Sequence, residues 1–300
     1  MPYKPRTKSK EMVILEFLNR RKKLTSKEKQ HYLSLKKGFE GEELFDSFTE
    51  KLRCECLILN DLLLEVNNTT FQIDSLIITG GMILFYEVKN FEGDFYYEND
   101  KLFLKSRKEV INPLHQLSRS ESLLRQLLHG LGFNPQIDAS VVFINPNFTL
   151  YQAPLDKPII FPTQVNQHMR NLNTISSKLM VNHKKLANQL LLLHNPDSPY
   201  TKIPPYDYEQ LRKGITCSKC HSFSIEVQKR KCVCECGNKA SITDAVLRMV
   251  KEFQVLFPDE RITTNIIHNW CQEIVSKQSI RRILAANFNS VGKQQWTYYE

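Results

Sequence analysis

Residues 71–90 carry three charged side chains whose spacing could place them in one metal site. Gly80-Gly81 separates two runs rich in β-branched and aromatic residues, a pattern that predicts a β-hairpin with a two-residue turn. With that turn, Asp74 lies directly opposite Glu87. Because side chains alternate between the faces of a strand, Lys89 shares the face of both carboxylates. Like charges opposed across a ladder are destabilising, and a bound divalent cation would remove the conflict.

A cation held by two carboxylates beside a lysine could serve phosphodiester hydrolysis, which needs a polarised phosphoryl group, an activated water and a stabilised leaving oxygen. Asp74 and Glu87 are the candidate ligands of Mg²⁺, or of Mn²⁺, since carboxylate oxygens are the hard donors that Mg²⁺ prefers. Lys89 would steer the water or offset charge on the phosphate. The structural alternative is a charge cluster at a sheet edge, which the surrounding Ile, Leu and Phe residues make less favourable.

Four short motifs occur in order around this hairpin. They are Gly38-Phe39-Glu40-Gly41-Glu42, Gln72-Ile73-Asp74, Glu87-Val88-Lys89-Asn90 followed by Gly93, and Asn112-Pro113-Leu114-His115-Gln116. Together they resemble the PD-(D/E)xK nuclease superfamily and, more closely, its nuclease-related domain, NERD. The resemblance covers residues 38–165. It implies an α/β fold with a mixed sheet flanked by helices.

The resemblance also implies that Glu42, near the start of a helix after Gly38, projects toward the same site. The alternative is that the local acidic cluster only complements a helix dipole. Gln116 lies one turn into a helix that Asn112-Pro113 should start, where its amide would hold a metal-bound water or a phosphate. On the residues alone, Gln116 could equally be a surface glutamine. The superfamily also contains degenerate members, so a non-catalytic scaffold that binds nucleic acid is the alternative function.

The chain contains eight cysteines, five of them within residues 217–236, which favours metal binding over disulfides. Cys217 and Cys220 form one pair, and Cys234 and Cys236 form a second pair with a shorter spacing than usual. This pattern resembles a zinc ribbon, in which four thiolates bind a structural Zn²⁺ and leave no open position for catalysis. Cys232 is a rival ligand, and His221 is a weaker one.

The C-terminal residues predict three helices followed by a hairpin. The first helix should cover residues 242–257. The second should begin at Thr263-Thr264, and the third should begin at Ser279. This order favours a winged helix-turn-helix with residues 279–288 as its recognition helix. The candidate nucleic-acid-binding residues are Arg281, Arg282 and Lys293. A helical cap that packs or dimerises is the alternative.

The formal net charge of +9 is unevenly distributed, because residues 1–37 hold 12 Lys and Arg against 3 Glu. Basic flanks around an acidic centre fit contacts with phosphates, and we expect DNA as the partner, with RNA as the alternative. The apolar stretches are too short to span a bilayer, and no secretory signal is visible, so we expect no membrane contact and a cytoplasmic location.

Five segments are expected from these patterns. They are a basic arm at 1–37 that is helical in part and otherwise mobile, a nuclease-related core at 38–165, a helical extension and proline-containing linker at 166–200, a zinc ribbon at 201–240, and the helical, winged-helix-like region at 241–300.

Overall fold

A computed structural model describes residues 1–175, 178–197, 200–292 and 296–300. The chain divides into two compact units, each built from two stretches of sequence. The first unit contains residues 1–9 and 33–200, and the second contains residues 10–32 and 201–300. The segment boundaries expected from the sequence stay a prediction.

Eight helices lie in the described residues: α1 (Lys10–Arg21), α2 (Ser26–Thr49), α3 (Pro113–Gly130), α4 (Val165–Thr174), α5 (Val181–Leu193), α6 (Ile242–Leu256), α7 (Thr264–Trp270) and α8 (Lys277–Asn287). The strands of the first unit are β1 (Leu57–Val66), β2 (Thr69–Ile78), β3 (Ile83–Lys89), β4 (Gly93–Glu98), β5 (Lys101–Leu104), β6 (Glu109–Val110), β7 (Ile137–Phe143), β8 (Phe148–Tyr151) and β9 (Ile159–Ile160). Those of the second unit are β10 (Ile225–Gln228), β11 (Lys231–Cys234), β12 (Lys239–Ser241), β13 (Ser290–Val291) and β14 (Tyr298–Tyr299). None of the helices in these residues has the length and apolar character needed to cross a membrane.

The main sheet of the first unit is mixed, with strand order β1-β2-β3-β7-β9. Strands β1, β2 and β3 are antiparallel, whereas β7 is parallel to β3 and β9 is parallel to β7. The backbone N–H of Thr79 donates to the carbonyl of Met82 at 3.0 Å, so the β2–β3 turn lies at Gly80-Gly81, as the sequence predicts. The last ladder pair is Ser75 with Tyr86. One step further along that register, Asp74 faces Glu87.

Helices cover both faces of this sheet. On one face, α3 buries Leu117, Leu124 and Leu128 in the larger hydrophobic core. On the other face, Phe45 of α2 packs in a second core that includes Val88 of β3. This mixed sheet between helices confirms the fold class expected from the sequence, and it brings the N-terminal half of α3 and the middle of α2 to the same sheet.

A second, four-stranded sheet has the order β6-β5-β4-β8. The β4–β5 hairpin turns at Asn99 and Asp100, whose φ angles of 50° and 60° are left-handed, as its sequence favours. Asn112 caps α3, because its side chain accepts a hydrogen bond from Leu114 N at 3.0 Å and Pro113 follows it. The predicted start of this helix is therefore confirmed.

The expectation of a helix that starts after Gly38 is wrong, because α2 begins at Ser26 and continues through both glycines of the motif. The physical reason is a capping box at Thr25 and Glu28. Thr25 Oγ1 accepts from Glu28 N at 3.3 Å, and Glu28 Oε2 accepts from Thr25 N at 2.7 Å. The basic arm, for which the sequence predicts only one short helix, is largely helical, in α1 and in the start of α2.

Gly41 lies where α2 passes the end of β3. A Cβ at Gly41 would stand 2.5 Å from Cβ of Asn90, whereas a Cβ at Gly38 would meet nothing within 4 Å. We therefore expect Gly38→Ala to stabilise the protein by about 0.5–1 kcal/mol through its higher helix propensity. Gly41→Ala should destabilise it by about 1–3 kcal/mol, since Asn90 must shift. Urea unfolding of the two variants checks this, and equal stabilisation by both would contradict the close approach.

In the second unit, α1 packs on α6 through a buried ion pair. Arg21 Nε donates to Glu252 Oε1 at 2.5 Å, and both side chains are almost fully buried. The guanidinium also lies over the Trp270 ring, 3.9 Å from its centroid. The remaining guanidinium nitrogens donate to the carbonyls of Arg212 and Gly214, so this buried charge is well satisfied.

The C-terminal helices α6, α7 and α8 are followed by the two-stranded β13–β14 hairpin, which is the expected element order. The third helix begins at Lys277 and not at Ser279, because Ser276 is the cap and its side chain accepts from Ser279 N. Lys293, expected at the hairpin tip, lies outside the described residues.

Candidate metal-dependent active site

A cleft of about 390 Å³ in the first unit is lined by all five side chains to which the sequence assigns catalytic roles. We call it the acidic cleft, and its functional lining consists of Glu42, Gln72, Asp74, Glu87, Lys89 and Gln116. Glu42 comes from α2, Asp74 from β2, Glu87 and Lys89 from β3, and Gln116 from the first turn of α3. The fold therefore brings together residues that are up to 74 positions apart in the chain.

The two opposed carboxylates are deeply buried. Asp74 is 7% exposed and Glu87 is 1% exposed. Val88, between Glu87 and Lys89, packs into the core on the other face, as strand alternation requires. Asp74 Oδ2 accepts a hydrogen bond from Val88 N at 2.8 Å, which holds its carboxylate against β3.

Lys89 is the cation beside the two buried carboxylates. Its Nζ lies 2.5 Å from Glu87 Oε1 as an ion pair and donates to Gln116 Oε1 at 3.1 Å. Within the described residues, neither carboxylate oxygen of Glu87 accepts a hydrogen bond of regular geometry. Glu87 is thus a buried carboxylate whose charge is compensated by Lys89 and whose oxygens can accept further hydrogen bonds.

The electrostatics of the cleft disfavour three negative charges at once. Burial raises the pKa of Glu87 to about 7, and the charge of Asp74 adds to this, while Lys89 opposes it. Burial likewise raises the pKa of Glu42 to about 8, with a further contribution from Asp74 and an opposing one from Arg6. The pKa of Asp74 is also raised by burial, against the effects of Lys89 and of the Val88 N–H.

These features fit a divalent cation. A hard cation such as Mg²⁺ binds oxygen donors, and the candidate ligands here are carboxylates. These carboxylates are buried and repel one another, and the Glu87 oxygens can accept further contacts. Asp74 and Glu87 are placed to hold it, and Glu42 lies in the same cleft. Gln116 is exposed, so its amide is open to solvent as well as to Lys89.

Arg6 and Asp46, which the sequence does not assign to the site, form hydrogen bonds next to its carboxylates. Arg6 donates to Glu42 Oε2 at 2.6 Å and, through two nitrogens, to Asp46 at 2.9 and 3.0 Å. Asp46, one turn after Glu42 on α2, is detectable as an i, i+4 neighbour on the same helix face. No local pattern points to Arg6, which lies in the basic N-terminal stretch among many other cations.

The second unit carries a cluster of four cysteines. Cys217, Cys220, Cys234 and Cys236 place their Sγ atoms within 4.8 Å of one another. The Sγ atoms of Cys217 and Cys236 are 3.7 Å apart, and those of Cys220 and Cys234 are 3.5 Å apart. Four thiolates at about 2.3 Å from a tetrahedral Zn²⁺ would be separated by about 3.8 Å. The cluster therefore supports the expected zinc ribbon, whose sheet is β10-β11-β12.

The turns of the ribbon explain the shorter second pair. Gly237, with φ 81°, donates its N–H to Cys234 O at 2.9 Å and closes a tight turn that accepts a one-residue spacing. Asn238 then donates to Cys217 Sγ at 3.4 Å. Cys232 is buried in β11 and lies outside the cluster, as does His221, so neither rival replaces a member of the four.

A second cleft, of about 340 Å³, lies among the C-terminal helices and the hairpin. We call it the tail cleft; it is lined by Thr263, Thr264, Asn265, Lys277, Gln278, Arg281, Thr297 and Tyr299. Arg281 is therefore part of a polar concavity, whereas Arg282 is exposed but does not line it. Lys277 is not among the nucleic-acid-binding candidates of the sequence, because the sequence predicts a helix that starts two residues after it.

Residues 37–144 match the family model described as NERD, nuclease-related domain. This match confirms the resemblance inferred from the four motifs, and it supports a nuclease-related function for that part of the chain. No curated protein and no solved structure matches the chain. The matched stretch includes Glu42, Asp74, Glu87, Lys89 and Gln116 but not Arg6 or the cysteine cluster.

Proposed function

We propose that the protein is a nuclease that hydrolyses phosphodiester bonds in DNA with Mg²⁺, or Mn²⁺, held in the acidic cleft. The observation that carries this proposal is the burial of Asp74 and Glu87 beside Lys89 in one cleft within the NERD segment. When bound, the cation supplies Lewis acidity toward a phosphoryl oxygen and a lowered pKa of its water.

The protein's own groups then have separate tasks. Asp74 and Glu87 hold the cation, and Glu42, on the facing helix, contributes a third carboxylate. The Lys89 ammonium stands beside Glu87, where it would orient the attacking water or compensate negative charge that grows on the phosphate. Gln116, already bonded to Lys89, offers its amide N–H groups to a phosphate oxygen at the open side of the cleft.

Contacts with nucleic acid outside the cleft are assigned to the second unit. Lys277 and Arg281 line the tail cleft, and Thr263, Thr264 and Asn265 add neutral donors around it. Such a set suits the phosphate backbone, which is common to DNA and RNA, more than base edges. The four-cysteine ribbon is assigned a structural Zn²⁺, and because its thiols must stay reduced, a cytoplasmic location fits it.

The experiment that tests the function uses plasmid and linear DNA with the full chain, in Mg²⁺ or in EDTA, beside Asp74→Ala. Cleavage that requires Mg²⁺ and is lost in Asp74→Ala supports the proposal. Tight DNA binding by parent and variant alike, without cleavage by either, would instead favour the non-catalytic scaffold. Parallel reactions on RNA of the same sequence decide which nucleic acid is preferred.

The tail cleft leads to a separate prediction about how the affinity for DNA depends on salt concentration. Replacing Lys277 and Arg281 together by Ala should remove about two phosphate contacts and weaken DNA binding by about 10–100-fold at low salt. The slope of log K against log salt should fall by about 1.8, since each contact contributes about 0.9. Fluorescence anisotropy on a labelled duplex measures both quantities.

The matched control is Lys251→Ala, which removes an exposed cation of α6 that does not line the tail cleft. An unchanged slope in the double variant would assign the tail to packing.

A further inference from the structure

Arg6 contacts α2 and β2, two of the three elements that carry the acidic residues of the cleft, although it lies outside the NERD match. Its Nη1 donates to Glu42 Oε2 at 2.6 Å, and its Nη2 donates to the backbone carbonyl of Asp74 at 2.7 Å. Its Nε donates to Asp46 Oδ2 at 2.9 Å, and its Nη2 donates to Asp46 Oδ1 at 3.0 Å. The Arg6 side chain is only 3% exposed, so it does not face substrate.

These four hydrogen bonds use the planar fork of a guanidinium. One edge takes Asp46 in a bidentate pair, and the remaining N–H groups reach Glu42 and the β2 backbone. A lysine at this position would keep the charge but could not satisfy acceptors in all of these directions. The guanidinium therefore sets the distance between α2 and β2 at the level of the cleft.

The segment before Arg6 is itself held on the sheet. Lys4 forms a parallel bridge with Leu59 of β1, and Asn60 N donates to Lys4 O at 3.0 Å. The Lys4 ammonium donates to the carbonyls of Asn60 and Asp61, each at 2.8 Å. Arg6 thus reaches the cleft from a fixed backbone and not from a loose terminus.

We propose that Arg6 is a positioning residue of the acidic cleft, which holds the Glu42 carboxylate toward Asp74 and Glu87 and so sets the affinity for the catalytic cation. This inference rests on the proposed metal-dependent function. Arg6 pairs with Glu42 and Asp46, and Lys89 pairs with Glu87. Glu42 would be a third carboxylate donor to the cation, and its bond to Arg6 keeps it in the cleft.

The test is Arg6→Lys in the full chain, with DNA cleavage measured over a range of Mg²⁺ concentrations. Loss of a side chain that orients metal ligands should lower kcat by about 10–100-fold and raise the Mg²⁺ concentration for half-maximal rate by a similar factor. The KM for DNA should stay within about twofold, because Arg6 does not contact substrate. An Arg6→Lys variant with the parent's kcat and Mg²⁺ dependence would overturn the inference.

Lys36→Ala is the matched control, since it removes an exposed cation of α2 that pairs with Glu40 and does not line the acidic cleft. It should leave the Mg²⁺ dependence within about threefold of the parent, and a loss equal to that of Arg6→Lys would overturn a specific role for the guanidinium. If Arg6→Lys does not fold, Asp46→Ala takes its place, because it removes the bidentate partner that orients the guanidinium but keeps the arginine and its bond to Glu42. That variant should raise the Mg²⁺ concentration for half-maximal rate by about 3–10-fold, and no change would overturn the inference.

Calorimetric titration with Mn²⁺ separates this inference from the proposed function. If the parent binds Mn²⁺ without cutting DNA, the nuclease proposal fails, while Mn²⁺ binding about tenfold weaker in Arg6→Lys still supports the positioning role. Equal Mn²⁺ affinity in parent and variant overturns that role even if the parent is an active nuclease. A parent that binds no Mn²⁺ overturns both.

Discussion

Asp74→Asn and Glu87→Gln are each expected to lower the rate of DNA cleavage by at least about 10³-fold, or about 4 kcal/mol in transition-state stabilisation. Each change removes one negative charge from the pair that would hold the cation, while the side-chain volume is almost unchanged. Asn at position 74 can still accept the Val88 N–H through its amide oxygen, so the hairpin geometry should survive. Initial rates on plasmid DNA in saturating Mg²⁺ measure the effect.

The same variants should be as stable as the parent or more stable when no metal is bound. Because the pKa of Glu87 is raised from its ordinary value of 4.5 to about 7, the folded protein holds this proton to higher pH than the unfolded chain does. The contribution of Glu87 to the free energy of unfolding is therefore fully present below pH 4.5 and is lost as the pH rises through about 7. The loss from Glu87 alone should be at most about 3 kcal/mol. Glu87→Gln, which cannot ionise, should show a smaller fall.

Urea unfolding of the zinc-loaded protein without added Mg²⁺, at pH 5 and pH 8, checks this sign when the parent is compared with Glu87→Gln. Added Mg²⁺ should restore more stability to the parent at pH 8 than to Glu87→Gln. Glu121→Gln is the matched control, because Glu121 lies on α3 and forms its ion pair with the exposed Arg125, away from the cleft lining. A fall in stability between pH 5 and pH 8 that is no larger in the parent than in Glu87→Gln would contradict the electrostatic account. Full cleavage by Asp74→Asn would place the activity elsewhere.

Removal of zinc is expected to have the largest effect on folding in the second unit. The protein should purify with about one equivalent of Zn²⁺, and Cys217→Ser should lose most of it, since a three-thiolate site binds far more weakly. Structural zinc contributes an apparent free energy of about 10–16 kcal/mol in zinc-finger peptides, so residues 213–240 should lose their hydrogen-exchange protection. The acidic cleft belongs to the first unit and should keep its protection.

Cys232→Ser provides the matched control for the zinc experiment. Cys232 is 3% exposed and sits in β11, two residues from a cluster member, but its sulfur is outside the cluster. This variant should keep about one zinc per chain by atomic absorption, although its core packing changes. Protein purified under reducing conditions without zinc would refute the ribbon assignment, and equal zinc loss in both variants would reassign the ligands.

Local signals were enough to define the β2–β3 hairpin from sequence. Gly80-Gly81 favours a tight turn between two β-rich runs, and strand alternation then sets the faces of Asp74, Glu87 and Lys89. The Asn112 cap and the paired cysteines are local in the same sense. The capping box of Thr25 and Glu28 is equally local, although the two glycines of the next motif favour a later helix start.

What the sequence by itself determined is therefore the content of short segments: the register of the hairpin, the identity of its charged side chains, the start of α3, and the four zinc-binding candidates. Only the tertiary structure decided that Arg6 reaches Glu42 and Asp74, that α1 packs on α6 through Arg21 and Glu252, and that Lys277 shares a cleft with Thr263. Turns and caps act over a few residues, whose types encode them directly. A guanidinium that meets a carboxylate 231 positions away does so because packing of whole helices brings them together, and no spacing in the chain records that distance.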